Sequence, residues 1–154
     1  MNRLWRRVGT VLSVLAWPAL FVYLRIGART RVVVLAEGQV LLVQGWLSRE
    51  RWQLPGGGLH WREQSEAGAV RETFEETGLQ LDPASLRLLQ SEWCTAGGLS
   101  FYAHFFVVQL KQKPSLPEPH GEIVAMVWVP ITEAHTLPVK ADVRRGLELA
   151  AGRR

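Results

Sequence analysis

The stretch "WQLPGGGLHWRE", residues 52–63, sets three glycines behind a proline and places a carboxylate, Glu63, soon after them. Such a run marks either a turn or a backbone that must come close to something. Further on, "GGLHWREQSEAGAVRETFEETGL", residues 57–79, supplies Arg71, Glu72, Glu75 and Glu76 ahead of Gly78. On a helix at about 100° per residue, Glu72, Glu75 and Glu76 fall within roughly 100° of one another, and Ala67, Val70 and Phe74 gather opposite as the expected buried face. Three carboxylates so close repel, and their pKa values rise unless a positive charge lies among them. The face is therefore either the seat of a divalent cation or simply solvated acid, and on an isolated helix the second is commoner. The glycine loop directly ahead favours the first. Hard carboxylate oxygens with loop carbonyls beside them suit Mg2+ or Mn2+, which keep waters and accept phosphate oxygens in their remaining positions. Arg71 is expected to reach Glu75 one turn on and hold it.

Gly57, Glu63, Arg71, Glu72, Glu75, Glu76 and Gly78 stand at one spacing: glycine, five residues, Glu, seven residues, then Arg-Glu-x-x-Glu-Glu-x-Gly-aliphatic. At average usages of about 7% or less, seven such matches coincide at about 10⁻⁸ per starting position, too rarely for an accident of composition. The pattern resembles the Nudix box. With the hairpin upstream and "WVPITEA" after the last strand, residues 31 to about 150 resemble a Nudix hydrolase. Thr73 departs from the pattern, which wants a bulky aliphatic residue there; its hydroxyl is expected to bond back to the preceding helical turn with little effect on the chemistry.

The resemblance implies an α+β fold of the Nudix type, a mixed β-sheet flanked by helices in an α/β/α sandwich. It implies a pyrophosphohydrolase that cuts the diphosphate of a nucleoside diphosphate linked to another group X. By the same analogy Glu72, Glu75, Glu76 and the Gly56 carbonyl would ligate Mg2+ or Mn2+. Glu63 and Arg71 would assist, and one acid from outside the box would join them. Glu122, six residues before Trp128, is the candidate for that acid, against an ordinary solvated strand end. Gly57 and Gly58 would let the loop approach substrate, with His60 nearby. Trp46, Trp52 and Trp61 surround the loop, so Trp52 and Trp61 are candidates to stack on a base, although large aromatics more often pack in a core. Submotifs leave X open: residues 94–96 are Cys-Thr-Ala, without the proline of ADP-ribose hydrolases, and residues 95–97 lack the tyrosine of diadenosine-polyphosphate hydrolases. The rival class is a catalytically silent nucleotide-binding or interaction module, against which the four retained box glutamates argue.

To position these residues the chain offers a hairpin, "RVVVLA", "EGQ", "VLLVQ", and then a helix over 64–77 closed by Gly78. Strands are predicted over 86–93, 101–110 and 122–129, and a last helix over 139–151. A 154-residue chain with 47% hydrophobic and 21% charged residues suits one folded domain. The single cysteine, Cys94, excludes an internal disulfide framework, and four scattered histidines do not suggest a zinc site.

The net charge of +4 is unevenly placed, because residues 1–31 carry six arginines and no acid. The rest of the chain holds 12 basic against 14 acidic residues, so no nucleic-acid groove is expected in the domain. Residues 8–24 contain no Asp, Glu, Lys or Arg. As a helix they would span roughly 26 Å, a little under a hydrocarbon core of ~30 Å that flanking arginines can reach across by snorkelling. Residues 1–30 are thus expected to form a hydrophobic helix that spans or lies in a membrane, with residues 31–154 as the catalytic domain in the cytoplasm. A signal peptide, or a helix packed on a soluble cytoplasmic domain, are the competing readings; a homodimer is a further expectation.

Overall fold

The computed structural model describes residues 27–48, 50–96 and 99–152. The apolar run at 8–24, and with it the expected membrane helix, lies outside the described residues. Among these, no helix is long and apolar enough to cross a membrane.

Five strands form one sheet: β1 (Arg29–Ala36), β2 (Gln39–Gly45), β3 (Arg87–Ala96), β4 (Leu99–Leu110) and β5 (Ile123–Pro130), in the order β3-β4-β1-β2-β5. β1 runs parallel to β4, and every other pairing is antiparallel. The first strand starts at Arg29, ahead of the boundary expected at residue 31. Glu37 and Gly38 both take positive φ, 48° and 76°, which matches the twist a two-residue hairpin turn needs. That is the bend expected at "EGQ".

β1 is the central strand, and its valines are buried on both faces, as suits a strand with a parallel neighbour and helices above and below. Val32, Val34, Leu41, Phe106 and Val108 pack with Ala69 of α1 (Ser65–Thr77). Val33, Leu35, Leu42, Phe105 and Val107 pack on the other face with Val143 of α2 (Ala141–Ala151). The three layers are those expected. The last helix starts two residues later than predicted, with Lys140 as its N-cap.

The helix carrying the carboxylates buries a different face from the expected one. Gly68, Ala69, Thr73 and Thr77 are its buried residues; of the expected face Val70 packs on the core, half-buried, whereas Ala67 is exposed and Phe74 is 49% exposed. A Cβ on Gly68 would stand 2.2 Å from Leu59 Cδ2, so small residues let the helix come close to what lies beneath it. Hydrophobicity points to Phe74; close approach selects Gly68 and Ala69. The buried arc therefore abuts Glu72 and Glu76 instead of opposing them, and this sinks part of the acidic face into the protein. Thr73 is fully buried and its hydroxyl donates to the Ala69 carbonyl at 2.7 Å, the back-bond its sequence position suggests. Gly78 caps the helix in the left-handed region, φ 70°, and its N–H donates to Phe74 O at 2.8 Å.

Candidate active site

The glycine loop lies alongside β1. Val32 N–H donates to Pro55 O and Thr30 N–H to Gly57 O, both at 2.9 Å, so the loop is pinned at two points to the central strand. Gly56 takes φ 129°, and a Cβ there would stand 2.4 Å from the Thr30 carbonyl oxygen. A Cβ on Gly57 would meet the Glu72 carboxylate at 2.3 Å, whereas Gly58 has open space.

Arg71 is the hub of the acidic cluster. Its guanidinium donates twice to Glu63, at 2.8 Å each, once to Glu72 at 2.8 Å, once to Glu75 at 3.0 Å and once to the Gly58 carbonyl at 2.9 Å. The bond to Glu75 is the one expected from the helical spacing. The forked pair with Glu63 is the strong, planar kind, and it holds the Glu63 carboxyl down at about 2. Burial opposes this shift, and the His60 N–H, donating to Glu63 at 2.8 Å, adds to it. Glu63 thus fastens the end of the glycine loop to α1.

Glu76 lies apart from this hub. It is mostly buried, and Gly56 N–H donates to its carboxylate at 2.8 Å. Burial pushes its pKa up to about 7, and the neighbouring charges of Glu72 and Glu122 push the same way, against the Gly56 N–H and Arg31. On the other side of the loop Arg31 is buried. It donates to the Gly56 carbonyl at 2.6 Å and to Thr30 O at 2.8 Å, and it pairs with Asp142 of α2 at 2.9 Å. Gly56 is thereby gripped from both faces, its N–H by α1 and its carbonyl by an arginine that α2 neutralises.

A cleft of about 650 Å³ opens over this arrangement. It is lined by Glu72, Glu75, Glu76 and Glu122, by Arg29, Arg31, Arg71 and Lys140, and by Gly56, Gly57, Gly58 and His60. The structure therefore brings all the box carboxylates expected as ligands to one cleft, and it brings Glu122, the acid from outside the box, to the same cleft. Trp52 and Trp61 do not line the cleft. Trp52 is half-buried against the core and Trp61 is exposed, so packing rather than stacking describes Trp52.

Sequence reasoning missed Arg29, Arg31, Lys140 and Asp142. The first two were grouped with the arginines flanking the apolar run, but a charge opening the valine run of a central strand was itself a sign of a buried partner. Lys140 owes its position to Trp52, whose carbonyl accepts the Lys140 N–H at 2.8 Å, and its ammonium donates to Gln53. Burial lowers the Lys140 pKa.

The chemistry of the donors fits a hard divalent cation, since four carboxylates line one cleft and the mostly buried Glu76 receives a backbone N–H rather than a cation. Among the described residues no three acidic, imidazole or thiolate groups stand in a ligating arrangement, because Arg71 draws Glu72 and Glu75 while Glu76 turns to Gly56. Joint ligation by the three requires Glu72 and Glu75 to turn away from the guanidinium.

Proteins of similar sequence match parts of this chain. The phosphatase NudJ of Escherichia coli (strain K12) is 28% identical over 102 residues, 66% of each chain. Diphosphoinositol polyphosphate phosphohydrolase 3-alpha of Mus musculus is 43% identical over 44 residues, which are 29% of this chain and 27% of that protein. The chain thus spans about a quarter of the length of that relative. In three dimensions it resembles a MutT protein from Methanosarcina mazei Go1, with a TM-score of 0.69, 20% identity, and coverage of 84% of this chain and 96% of that one. The E. coli dihydroneopterin triphosphate pyrophosphohydrolase gives 0.67 at 20% identity, covering 79% and 92%. At these identities the two structures show the fold. A profile described as the NUDIX domain matches residues 26–149, most of the chain and the whole of the cleft's frame, and the protein belongs to that family.

Proposed function

We propose that this protein is a metal-dependent pyrophosphohydrolase acting on a nucleoside diphosphate linked to another group. The observation that carries this is a cleft lined by charges of both signs: four carboxylates suited to a cation share it with Arg29 and Lys140, which suit the anionic oxygens of a diphosphate, and a merely solvated acidic face does not explain these two. Glu72, Glu75 and Glu76 would hold Mg2+ or Mn2+, and the Gly56 carbonyl would join them only by turning from Arg31, to which it is bonded here. Bound there, the metal would neutralise charge on the diphosphate oxygens and lower the pKa of the attacking water. The protein's own residues do the positioning. Arg71 and Glu63 lock the loop to α1, Arg31 and Asp142 fix Gly56, and Arg29 and Lys140 offer positive charge to anionic oxygens. Phosphatase and pyrophosphohydrolase names among the relatives support the reading. Screening a nucleotide library for Mg2+-dependent phosphate or nucleotide release tests it; binding without release under any divalent cation would indicate a silent module.

Glu122 is proposed as the additional ligand or proton acceptor. It is exposed and lines the cleft immediately before β5, and its charge bears on Glu76. Glu122→Gln should therefore slow hydrolysis and alter the pH–rate profile. An unchanged rate with an unchanged profile would leave Glu122 a surface acid.

Residues 1–30 are proposed to attach the protein to a membrane, with the catalytic domain on the cytoplasmic side. Full-length protein should sediment with membranes and resist high-salt washing, because salt screens charge but not apolar insertion. Deleting residues 1–25 should release a domain that still hydrolyses its substrate, and light scattering on it checks for the homodimer. Full-length protein that stays soluble without detergent would overturn the attachment.

A further inference from the structure

The two ends of the sheet differ in a way the cleft does not require. β1 and β4 begin at one end, where Arg29 pairs with Ala103, and β3 passes the same point with Trp93 opposite Tyr102. The hairpin returns β2 to that end, where Gly45 meets Ile123 at the start of β5. Two loops join them there: Leu59 N–H donates to Ala28 O at 2.9 Å, and Trp46 N–H to Glu122 O at 3.0 Å. Of the seven large hydrophobic side chains exposed among the described residues, Trp46 (65%), Leu47, Trp61 (89%), Trp93 (70%) and Val124 belong to this end. Phe74 and Leu88 do not. A soluble surface rarely gathers so many large apolar groups at one end without something to cover them.

The chain itself points to what covers them. Gly27 and Ala28 line the cleft, and the 26 residues before Gly27 include the uncharged run 8–24, bracketed by Arg3, Arg6, Arg7 and Arg25. The chain thus enters the described domain at this end of the sheet, two residues after Arg25. Apolar runs bracketed by arginine favour lipid, tryptophans favour the lipid–water boundary, and the exposed Arg51 and Arg62 of the same loops suit headgroup phosphates. We propose that this end of the sheet rests on a lipid bilayer, with Trp46, Trp61 and Trp93 at the interface and the cleft opening toward the headgroups. The proposal rests on the membrane attachment described above and adds an orientation to it. Each tryptophan alone binds lipid weakly. Tethering by the N-terminal segment gives the loops an effective concentration on the order of millimolar, which makes weak contacts sufficient.

The test uses the full-length chain with Cys94→Ser and one new cysteine at a time, labelled with an environment-sensitive fluorophore. The vesicles are phosphatidylcholine with a minority of phosphatidylglycerol. Labels at Trp46→Cys, Trp61→Cys and Trp93→Cys should brighten several-fold and shift to the blue on vesicles. Labels at Phe74→Cys and Leu88→Cys should not change, and a cooperative melt of each labelled variant reports that the domain is folded. If the protein sediments with the vesicles but the first three labels do not respond, or all five respond alike, the orientation is wrong while the attachment stands. If it does not sediment with vesicles at all, both fall.

Discussion

Glu76→Gln is expected to slow metal-dependent hydrolysis by about 100-fold or more, roughly 2.7 kcal/mol, while making the metal-free protein more stable at pH 8. The two effects have one origin. Glu76 is mostly buried, receives only a backbone N–H, and faces Glu72 and Glu122, so its carboxyl is raised to about 7. A carboxyl whose folded pKa lies above its unfolded value costs nothing below the unfolded value and its full cost above the folded one. Stability of the metal-free wild type should therefore fall between about pH 4.5 and 7, by on the order of 3 kcal/mol. The amide has no charge to desolvate, and its oxygen can still accept from Gly56, so the variant should lack that fall. Mg2+ should restore the wild type at pH 8 and leave the variant unchanged. Melting curves at pH 5 and pH 8, with and without Mg2+, read the stability effect, and initial rates read the other. A variant within about threefold of wild-type rate, ~0.65 kcal/mol, would remove Glu76 from the ligand set.

The box motif made α1, its glycine cap and the carboxylate cluster legible in the sequence, because each is set by local spacing. What it could not show is how deep the acids sit. That depends on Gly68 and Ala69, whose value is the close approach they permit, and hydrophobicity ranks Phe74 above both. The cations of the cleft were hidden for a different reason. Arg31 and Asp142 are more than a hundred residues apart and meet only because β1 lies under α2, while Lys140 is placed by a backbone bond to Trp52. Long-range pairs of this sort leave no periodicity to read. Arg31 was visible only as a charge at the start of "VVVL".

The three glycines are expected to separate under substitution by alanine, although the sequence presents them as one run. Gly56→Ala should be the most destabilising. Its φ of 129° is a conformation an L side chain rarely adopts, and its Cβ would stand 2.4 Å from the Thr30 carbonyl oxygen and 3.2 Å from Arg31 Cα, backbone atoms of the central strand. The strain alone is of order 1–3 kcal/mol, and relief of the clash must also lift the loop from β1, releasing the Arg31 and Glu76 hydrogen bonds to Gly56. A fall in Tm of several degrees or more follows. Gly57 has no positive φ, and its Cβ would meet only the Glu72 carboxylate, the mobile end of a side chain. Gly57→Ala should leave Tm close to wild type yet lower kcat, since Glu72 must leave the position from which it serves the cleft. Gly58→Ala meets nothing within 4 Å and should change Tm by little. Equal losses of stability at all three positions would mean that the loop needs glycine for flexibility as a whole. A graded series, with stability lost at Gly56 and activity without stability at Gly57, would mean that each glycine clears space for one particular neighbour.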